Sequence, residues 1–231
     1  MNYVISKKKV EIGDKGFIVG DRFVPISKQA KLDFYLPFDT DINEKIHELN
    51  ATNTNTSYFS IQNDLQVGGY LRCTKPYQNK SKIYYEGSQN LFQYGTGDFT
   101  ISYWFRGPDY GNQENVVFSK KVEDSKPGFV IFRDLQPATM DFRLGGHGQY
   151  CSGIANENKW NHWCWVFKNS VMSCYKNGVY SYNNVSHHNP EFSGQSISNQ
   201  ELFCIGYCEI WNYKGAYFDL KALRIYKGAL D

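Results

Sequence analysis

Residues 97–106 read Gly97-Asp98-Phe99-Thr100-Ile101-Ser102-Tyr103-Trp104-Phe105-Arg106, a run in which apolar residues alternate with other types. In an extended backbone, side chains two residues apart lie on the same face, so Phe99, Ile101, Tyr103 and Phe105 share one face. A strand with one apolar face covers a hydrophobic core, and the Gly-Asp pair before it is a turn signal. The run therefore predicts a strand of a packed sheet.

Similar short segments, separated by turn signals, continue over most of the chain. They occur at 32–38, 69–74, 82–85, 99–106, 115–119, 128–133, 140–144, 162–168, 171–176, 202–207 and 216–226. Many short strands without a long helix are typical of a sandwich. The sequence thus predicts an all-β fold, an antiparallel two-sheet jelly-roll sandwich with a short N-terminal β-arm.

Two segments near residue 50 interrupt this pattern. Ile42, Ile46 and Leu49 have helical spacing, so residues 42–50 are predicted to form one short helix. Residues 51–60 are polar and rich in Thr and Asn, and they are predicted to form a loop.

The first thirty residues differ from the rest. Strand-like segments at 9–12, 17–19 and 22–26 are joined by turns that pair Gly with Asp, which favours a small β-ribbon. Such a ribbon buries too few apolar residues to be stable alone, so we expect it to pack on the main domain or on another chain. This predicts an anchoring arm at 1–30 and a jelly-roll domain at 31–231.

Composition and charge exclude several classes of function. The 231 residues are 41% hydrophobic and carry a formal net charge of +2, which does not indicate the clustered basic surface of a nucleic-acid-binding protein. No apolar stretch reaches the length of a membrane span, so membrane insertion is not expected. Because the chain start lacks a signal-peptide pattern, we expect synthesis in the cytosol and a location on a virion surface or outside cells, reached without a signal peptide.

Four segments, in order, resemble the laminin-G-like, pentraxin-like branch of the concanavalin-A-like lectin jelly rolls. They are residues 97–106, Trp160 to Phe167 with its Trp-x-His start, Ser173 to Val179 with its Asn-Gly turn, and Gly215 to Leu230, which resembles the closing strand. The resemblance spans residues 31–231 and implies a jelly roll. It leaves function open, because the family includes lectins, adhesion modules, glycosidase accessory domains and virus surface proteins.

The sequence does not indicate catalysis. Glycan hydrolases of the wider superfamily carry two carboxylates on one strand, in a Glu-x-Asp-x-x-Glu spacing or similar, and this spacing is absent. Glu123 and Asp124 are adjacent and would point to opposite faces of a strand. His162 matches a family strand position and is expected to be structural. The chain is therefore predicted not to be an enzyme.

Aromatic and amide residues in connecting segments are candidates for glycan binding, because rings stack on sugar faces and amides bond to hydroxyls. The strongest candidate is Trp211. The full set is Tyr110, Asn112, Tyr150, Trp211, Asn212 and Tyr213. An alternative for Trp211 and Tyr213 is a subunit contact or a local loop core.

A structural calcium ion is the one cofactor considered. Several relatives hold such an ion through an aspartate of the final strand, and the resemblance places Asp219 there, with Asp39 or Asp41 approaching from the entering strand. Alternatively, Asp219 pairs with Arg224 or caps a turn.

Six cysteines lack any Cys-x-x-Cys pair, which removes the strongest zinc and redox signatures. For a chain made in the cytosol, buried reduced thiols are expected. A Cys164–Cys174 disulfide is the alternative if their strands are adjacent.

Together these observations predict a non-catalytic lectin-like surface module. We expect it to be a structural, decoration or fibre component of a phage or virus particle with glycan adhesion. The arm would contact other virion proteins or drive homo-oligomerisation. The alternatives are a stand-alone carbohydrate-binding lectin and a glycosidase.

Overall fold

Two large antiparallel sheets dominate the computed structural model of the chain. It describes the strands within residues 2–25, and residues 30–65, 67–75, 79–107, 115–120, 126–135, 138–145, 150–154, 158–181, 192–209 and 216–230. In strand order these are β1 (Asn2–Ile5), β2 (Lys8–Gly13), β3 (Gly16–Val19), β4 (Arg22–Pro25), β5 (Lys31–Leu36), β6 (Ala51–Asn53), β7 (Phe59–Asp64), β8 (Gly68–Lys75), β9 (Ile83–Tyr85), β10 (Phe99–Arg106), β11 (Asn115–Lys120), β12 (Phe129–Leu135), β13 (Ala138–Leu144), β14 (Tyr150–Ile154), β15 (Asn161–Lys168), β16 (Val171–Lys176), β17 (Val179–Tyr180), β18 (Phe203–Ile205) and β19 (Ala216–Lys227).

The strands are arranged in three sheets. The front sheet has the order β17-β16-β15-β10-β19-β8-β7, with β5 also paired to β19. The back sheet has the order β14-β13-β12-β11-β18-β9-β6. Strands β1 to β4 form a separate antiparallel sheet in the N-terminal arm. This confirms the all-β, two-sheet jelly-roll class. None of the described segments is a long apolar helix of the kind that crosses a membrane.

The core lies between the front and back sheets and is mainly aromatic. Phe99, Ile101, Tyr103 and Phe105 of β10 are at most 2% exposed and all belong to it, as their alternation predicts. From the back sheet, Phe118 meets Tyr103 edge to face with ring centroids 5.2 Å apart. Enclosing each such side chain contributes roughly 2 kcal/mol to stability, so the strand is held mainly by its inward face.

The short helix expected over residues 42–50 is wrong: this segment is irregular. Its residue Glu44 is 1% exposed, and its carboxylate accepts hydrogen bonds from the backbone N–H groups of Tyr35, Ile46 and His47 at 2.9, 2.8 and 2.6 Å. The Glu44 carboxylate therefore occupies the N–H groups of Ile46 and His47, which in a helix would donate to backbone carbonyls. The third donor, the N–H of Tyr35, belongs to β5. Glu48 has a φ of 56°, which also ends helical geometry.

The loop expected over residues 51–60 is also wrong in part. Ala51–Asn53 form β6, which pairs with β9, and Phe59 starts β7, which pairs with β8. Both are edge strands of their sheets and are only partly buried, which explains their polar composition.

Five cysteines can be compared with the sequence prediction. Cys73, Cys164, Cys174, Cys204 and Cys208 are buried, and none of these five forms a disulfide. Cys164 and Cys174 do lie on paired strands, but Cys164 packs with Val166 on the outer face while Cys174 belongs to the central core. Since their side chains are on opposite faces of the sheet, the alternative of a disulfide between them is wrong.

Candidate functional site at one end of the sandwich

The register of the central strands defines two ends of the sandwich. β10 runs antiparallel to both β15 and β19, and Arg106 at its last position faces Asp219 near the start of β19. The backbone N–H of Tyr217 donates to Asn115 Oδ1 at 2.9 Å, which joins the starts of β19 and β11. We call this the upper end. The lower end is where β10 begins and β11 ends.

The strands flanking two of the predicted glycan-binding segments belong to the upper end. Tyr110 and Asn112 fall between β10 and β11, and Trp211, Asn212 and Tyr213 fall between β18 and β19; these five residues lie outside the described residues. Tyr150 is different, because it starts β14 opposite Arg143, in the lower half of the back sheet. The fold therefore does not bring Tyr150 to the upper end.

A cluster of two arginines and one aspartate lies on the outer face of the front sheet at the upper end. Asp219 Oδ1 accepts from Arg72 Nε at 2.8 Å, and Asp219 Oδ2 accepts from Arg106 Nε at 2.8 Å. The Nη2 atoms of Arg72 and Arg106 also donate to Asp219 Oδ2, at 3.0 and 2.5 Å respectively. The Asp219 side chain is 3% exposed while that of Arg72 is 42% exposed, so a buried carboxylate orients a guanidinium that reaches solvent.

Two aromatic rings complete this group, which we call the arginine–aromatic cluster: Tyr70, Arg72, Arg106, Trp160 and Asp219. The Arg106 guanidinium lies 4.9 Å from the Trp160 ring centroid and 5.3 Å from that of Tyr70. Arg72 lies 5.4 Å from the Tyr70 ring. The rings themselves meet edge to face at 5.4 Å. Tyr70 and Trp160 are buried, and planar cations held against buried aromatic rings are rigid, so the cluster presents the guanidinium of Arg72 to solvent in a fixed orientation.

A serine–histidine pair lies on the same face but does not have the electrostatics of a nucleophile and its base. Ser102 Oγ and His162 Nε2 are 2.8 Å apart and both residues are buried. Burial, with a smaller effect of Arg224, lowers the pKa of His162 to about 3. An imidazole this weakly basic is a poor proton acceptor near neutral pH. His162 thus has the structural role that the sequence predicts.

The three aspartates considered for calcium do not fit a calcium site. Asp219 is held by two arginines, and not by Arg224, which instead lies 4.6 Å above the Tyr35 ring. Asp39 Oδ1 accepts from Lys221 Nζ at 3.1 Å, and Asp41 from Lys45 Nζ at 2.8 Å. Among the described residues, no group of three or more His, Cys, Asp or Glu could hold a metal ion. Because each carboxylate already has an ammonium or guanidinium partner, a Ca²⁺ ion would have to displace it.

Sequence reasoning missed the arginine–aromatic cluster, although all five members fall within segments that it used for the fold. Arg106 ends the alternating run, Trp160 begins the Trp-x-His segment, and the others lie in the segments 69–74 and 216–226. A signal was present, since the outward positions of β10 end with Trp104 and Arg106 after the small polar residues Thr100 and Ser102. No local pattern relates them to Tyr70, Arg72 or Asp219.

Comparison with known proteins supports the fold. The family described as the concanavalin A-like lectin/glucanases superfamily matches residues 79–231. A sequence search of curated proteins gives no match.

Among solved structures, the binding domain of Paraclostridial Mosquitocidal Protein 1 is 17% identical, with a TM-score of 0.62 over 87% of this chain and 49% of that chain. Domain 4 of the extracellular arabinanase of Geobacillus stearothermophilus, in complex with arabinotriose, is 16% identical, with a TM-score of 0.60 over 88% and 96%. A chain of botulinum neurotoxin type C, whose cell entry depends on two ganglioside molecules, is 13% identical, with a TM-score of 0.61 over 87% and 48%. This chain therefore spans about half the length of the two toxin structures, and at these identities the likeness shows the fold.

Proposed function

Since this chain belongs to the concanavalin A-like lectin/glucanases superfamily, we propose that it is a non-catalytic carbohydrate-binding module that binds glycans at the upper end of its sandwich. The observation that carries this proposal is the arginine–aromatic cluster. It combines the exposed guanidinium of Arg72 with the rings of Tyr70 and Trp160. The two rings are buried, at 5% and 9% exposed, and hold the arginines in place, while the N–H groups of the exposed Arg72 guanidinium donate to hydroxyl or carboxylate oxygens of a sugar.

The position of the cluster also supports binding there. Arg106 ends β10 directly before the segment that contains Tyr110 and Asn112, and Asp219 lies three residues after the start of β19, which follows Trp211 to Tyr213. The residues that we predict to contact sugar thus flank the cluster in the chain. Among the structural neighbours, the arabinanase domain is in complex with arabinotriose.

A glycan array with the full chain tests this role. We expect a reproducible glycan hit that Arg72→Gln weakens about tenfold, because one charge-assisted contact is lost. Trp211→Ala should weaken the same hit by a similar factor. Arg224→Gln is the matched control, since this arginine also lies over a tyrosine ring but outside the cluster. Equal binding by all four proteins, or release of reducing sugar from a bound polysaccharide, would contradict the proposal, and the second result would favour a glycosidase.

We further propose that the module works in an assembly, as a decoration or fibre component of a phage or virus particle, with the arm as its anchor. The support is that β1 to β4 form their own sheet, and among the described strands they join neither sandwich sheet. Light scattering after size exclusion should show oligomers of the full chain and monomers of residues 31–231. A monomeric full chain that is absent from purified particles would favour the stand-alone lectin.

A further inference from the structure

Lys75 is a buried cation for which the described residues supply no hydrogen-bond acceptor. It ends β8 at the upper end, is 0% exposed, and its side chain points between the sheets. Within the described part of the chain, Lys75 Nζ has no hydrogen-bond partner. Lys75 Nζ lies 5.4 Å from the centroid of the Tyr207 ring.

Burial of a lone ammonium group is unfavourable. Taking an ionised group out of water without a partner costs several kcal/mol, and such groups pair, bind an ion or lose their proton. Burial lowers the pKa of Lys75 to about 8, so the group is still largely protonated at neutral pH. The nearby Cys73 thiol does not supply a negative charge, because burial raises its pKa to about 12.

A second lysine adds positive charge at the same ring. Lys82 Nζ lies 4.7 Å from the Tyr207 centroid and 5.9 Å from that of Tyr84. The carboxylate of Glu209 lies at the hydroxyl edge of this ring, because Tyr207 Oη donates to Glu209 Oε2 at 2.7 Å. Two ammonium groups against one ring concentrate positive charge that an anion would offset.

The position of these lysines in the fold relates them to glycan binding. Lys75 is the Cα partner of Ala216, the first residue of β19, and Ala216 follows Tyr213 by three residues. Lys75 therefore lies beside the start of β19 but between the sheets, where an anionic group that enters from the upper end would supply the acceptor that Lys75 lacks among the described residues.

We propose that Lys75 and Lys82, with Tyr207 between them, form a binding site for an oxyanion, the carboxylate or sulfate group of an acidic glycan. This inference rests on the proposed carbohydrate-binding function and names its ligand class. The ammonium groups donate to the anionic oxygens, and the Tyr207 ring keeps both cations in place.

Calorimetric titration of the full chain at pH 7 and constant ionic strength tests the site. The probes are inorganic sulfate, sodium glucuronate, and glucose as the neutral control. We expect saturable binding of sulfate or glucuronate and none of glucose. Sulfate binding alone indicates a sulfated glycan, and glucuronate binding alone indicates a uronate.

Three variants, each checked for native circular dichroism, assign the binding to this site. Lys75→Met and Lys82→Met should each weaken anion binding by about tenfold or more. Lys176→Met is the control, because Lys176 also lies over an aromatic ring, that of Trp163, at 5.7 Å. If Lys75→Met does not fold, Lys75→Gln replaces it.

The outcomes separate this inference from the proposed function. Absence of saturable binding of both anions, or unchanged binding by Lys75→Met and Lys82→Met, overturns the oxyanion site. If neutral glycans still bind in an Arg72-dependent manner, the carbohydrate-binding function survives that failure. If the anions bind through both lysines but the array yields no glycan, the function fails and the oxyanion site stands.

Discussion

Two lysines are buried at opposite ends of the sandwich, and their surroundings differ. Lys120 ends β11 at the lower end, and Lys75 ends β8 at the upper end. Both are 0% exposed, and burial lowers the pKa of each to about 8. Lys120 Nζ donates to Asn199 O, Asn199 Oδ1 and Gln89 O at 2.7, 3.0 and 3.2 Å. For Lys75 no acceptor is present among the described residues.

The difference separates a structural lysine from a functional candidate. Lys120 uses all three of its N–H donors, and Asn199 returns a hydrogen bond from Nδ2 to the Lys120 carbonyl at 2.6 Å. The lower end is thus closed by reciprocal bonds that explain why a lysine is buried there. At the upper end the same residue type is buried to the same degree, and the part of the chain that the structure describes offers no comparable acceptor. Costly groups of this kind are often kept at binding sites.

The largest expected effect is a difference in stability between two matched variants. Lys120→Met should lower the free energy of unfolding by about 3 kcal/mol, because the three hydrogen bonds that Lys120 Nζ donates to Gln89 and Asn199 are lost. Lys75→Met should leave the free energy of unfolding unchanged or raise it by about 1 to 2 kcal/mol, since it removes an unpaired buried cation. Urea unfolding of both variants at pH 7 measures the difference. Similar losses would mean that Lys75 has a structural partner equivalent to that of Lys120.

A smaller effect is expected in the pH dependence of the same measurement. The folded pKa of Lys75, about 8, is below the ordinary lysine value of 10.5, so between these values the unfolded state binds more protons. The contribution of Lys75 to the free energy of unfolding therefore rises with pH between about pH 8 and pH 10.5, by at most about 1.4 kcal/mol per pH unit. Cys73, Cys164 and Cys204, with pKa values raised to about 12, act in the opposite direction above pH 9.

The comparison between wild type and Lys75→Met removes the contribution of these shared thiols. Between pH 8 and pH 9, wild type should gain stability relative to Lys75→Met, by about 1 kcal/mol. The check is urea unfolding of both proteins at the two pH values. A constant difference across this range would show that Lys75 has the same pKa in the folded and unfolded chains.

The smallest expected effect is that of calcium. The Asp219 carboxylate at the upper end is already paired with the guanidinium groups of Arg72 and Arg106. Adding CaCl2 or a chelator should therefore shift the Tm of wild type by less than about 1 °C. Thermal unfolding followed by circular dichroism measures this shift. A stabilisation of several degrees by Ca²⁺ would restore the calcium prediction for Asp219, Asp39 and Asp41.

Much of the fold could be predicted from local sequence. The bounds of β10 and β16 agree with the alternating segments at 99–106 and 171–176. Strand β16 places Met172 and Cys174 in the central core, and β10, although buried on both faces, places only its alternate residues from Phe99 to Phe105 there. Residues 42–50 could not be predicted in the same way, since their backbone donors bond to a side chain, Glu44, and one of its donors lies nine residues away in β5. The strand β14 was also missed, and it is at the edge of the back sheet, where alternation is weaker.

The candidate site was less predictable than the fold. The connecting segments with Tyr110, Asn112 and Trp211 to Tyr213 could be selected by residue type, but Tyr150 was grouped with them although its strand places it at the other end. The sequence predicted that Asp219 binds a calcium ion, whereas in the fold its carboxylate forms ion pairs with Arg72 and Arg106.

Alternation is a property of neighbouring residues, so the strands, the aromatic interior and the family resemblance could all be read along the chain. The charge partners could not, because Asp219 is 147 residues from Arg72 and 113 from Arg106. Residues so far apart meet only when the register of β8, β10 and β19 is set. The same register leaves Lys75 enclosed without an acceptor among the described residues while Lys120 has three, and nothing in the local sequence of either lysine distinguishes them.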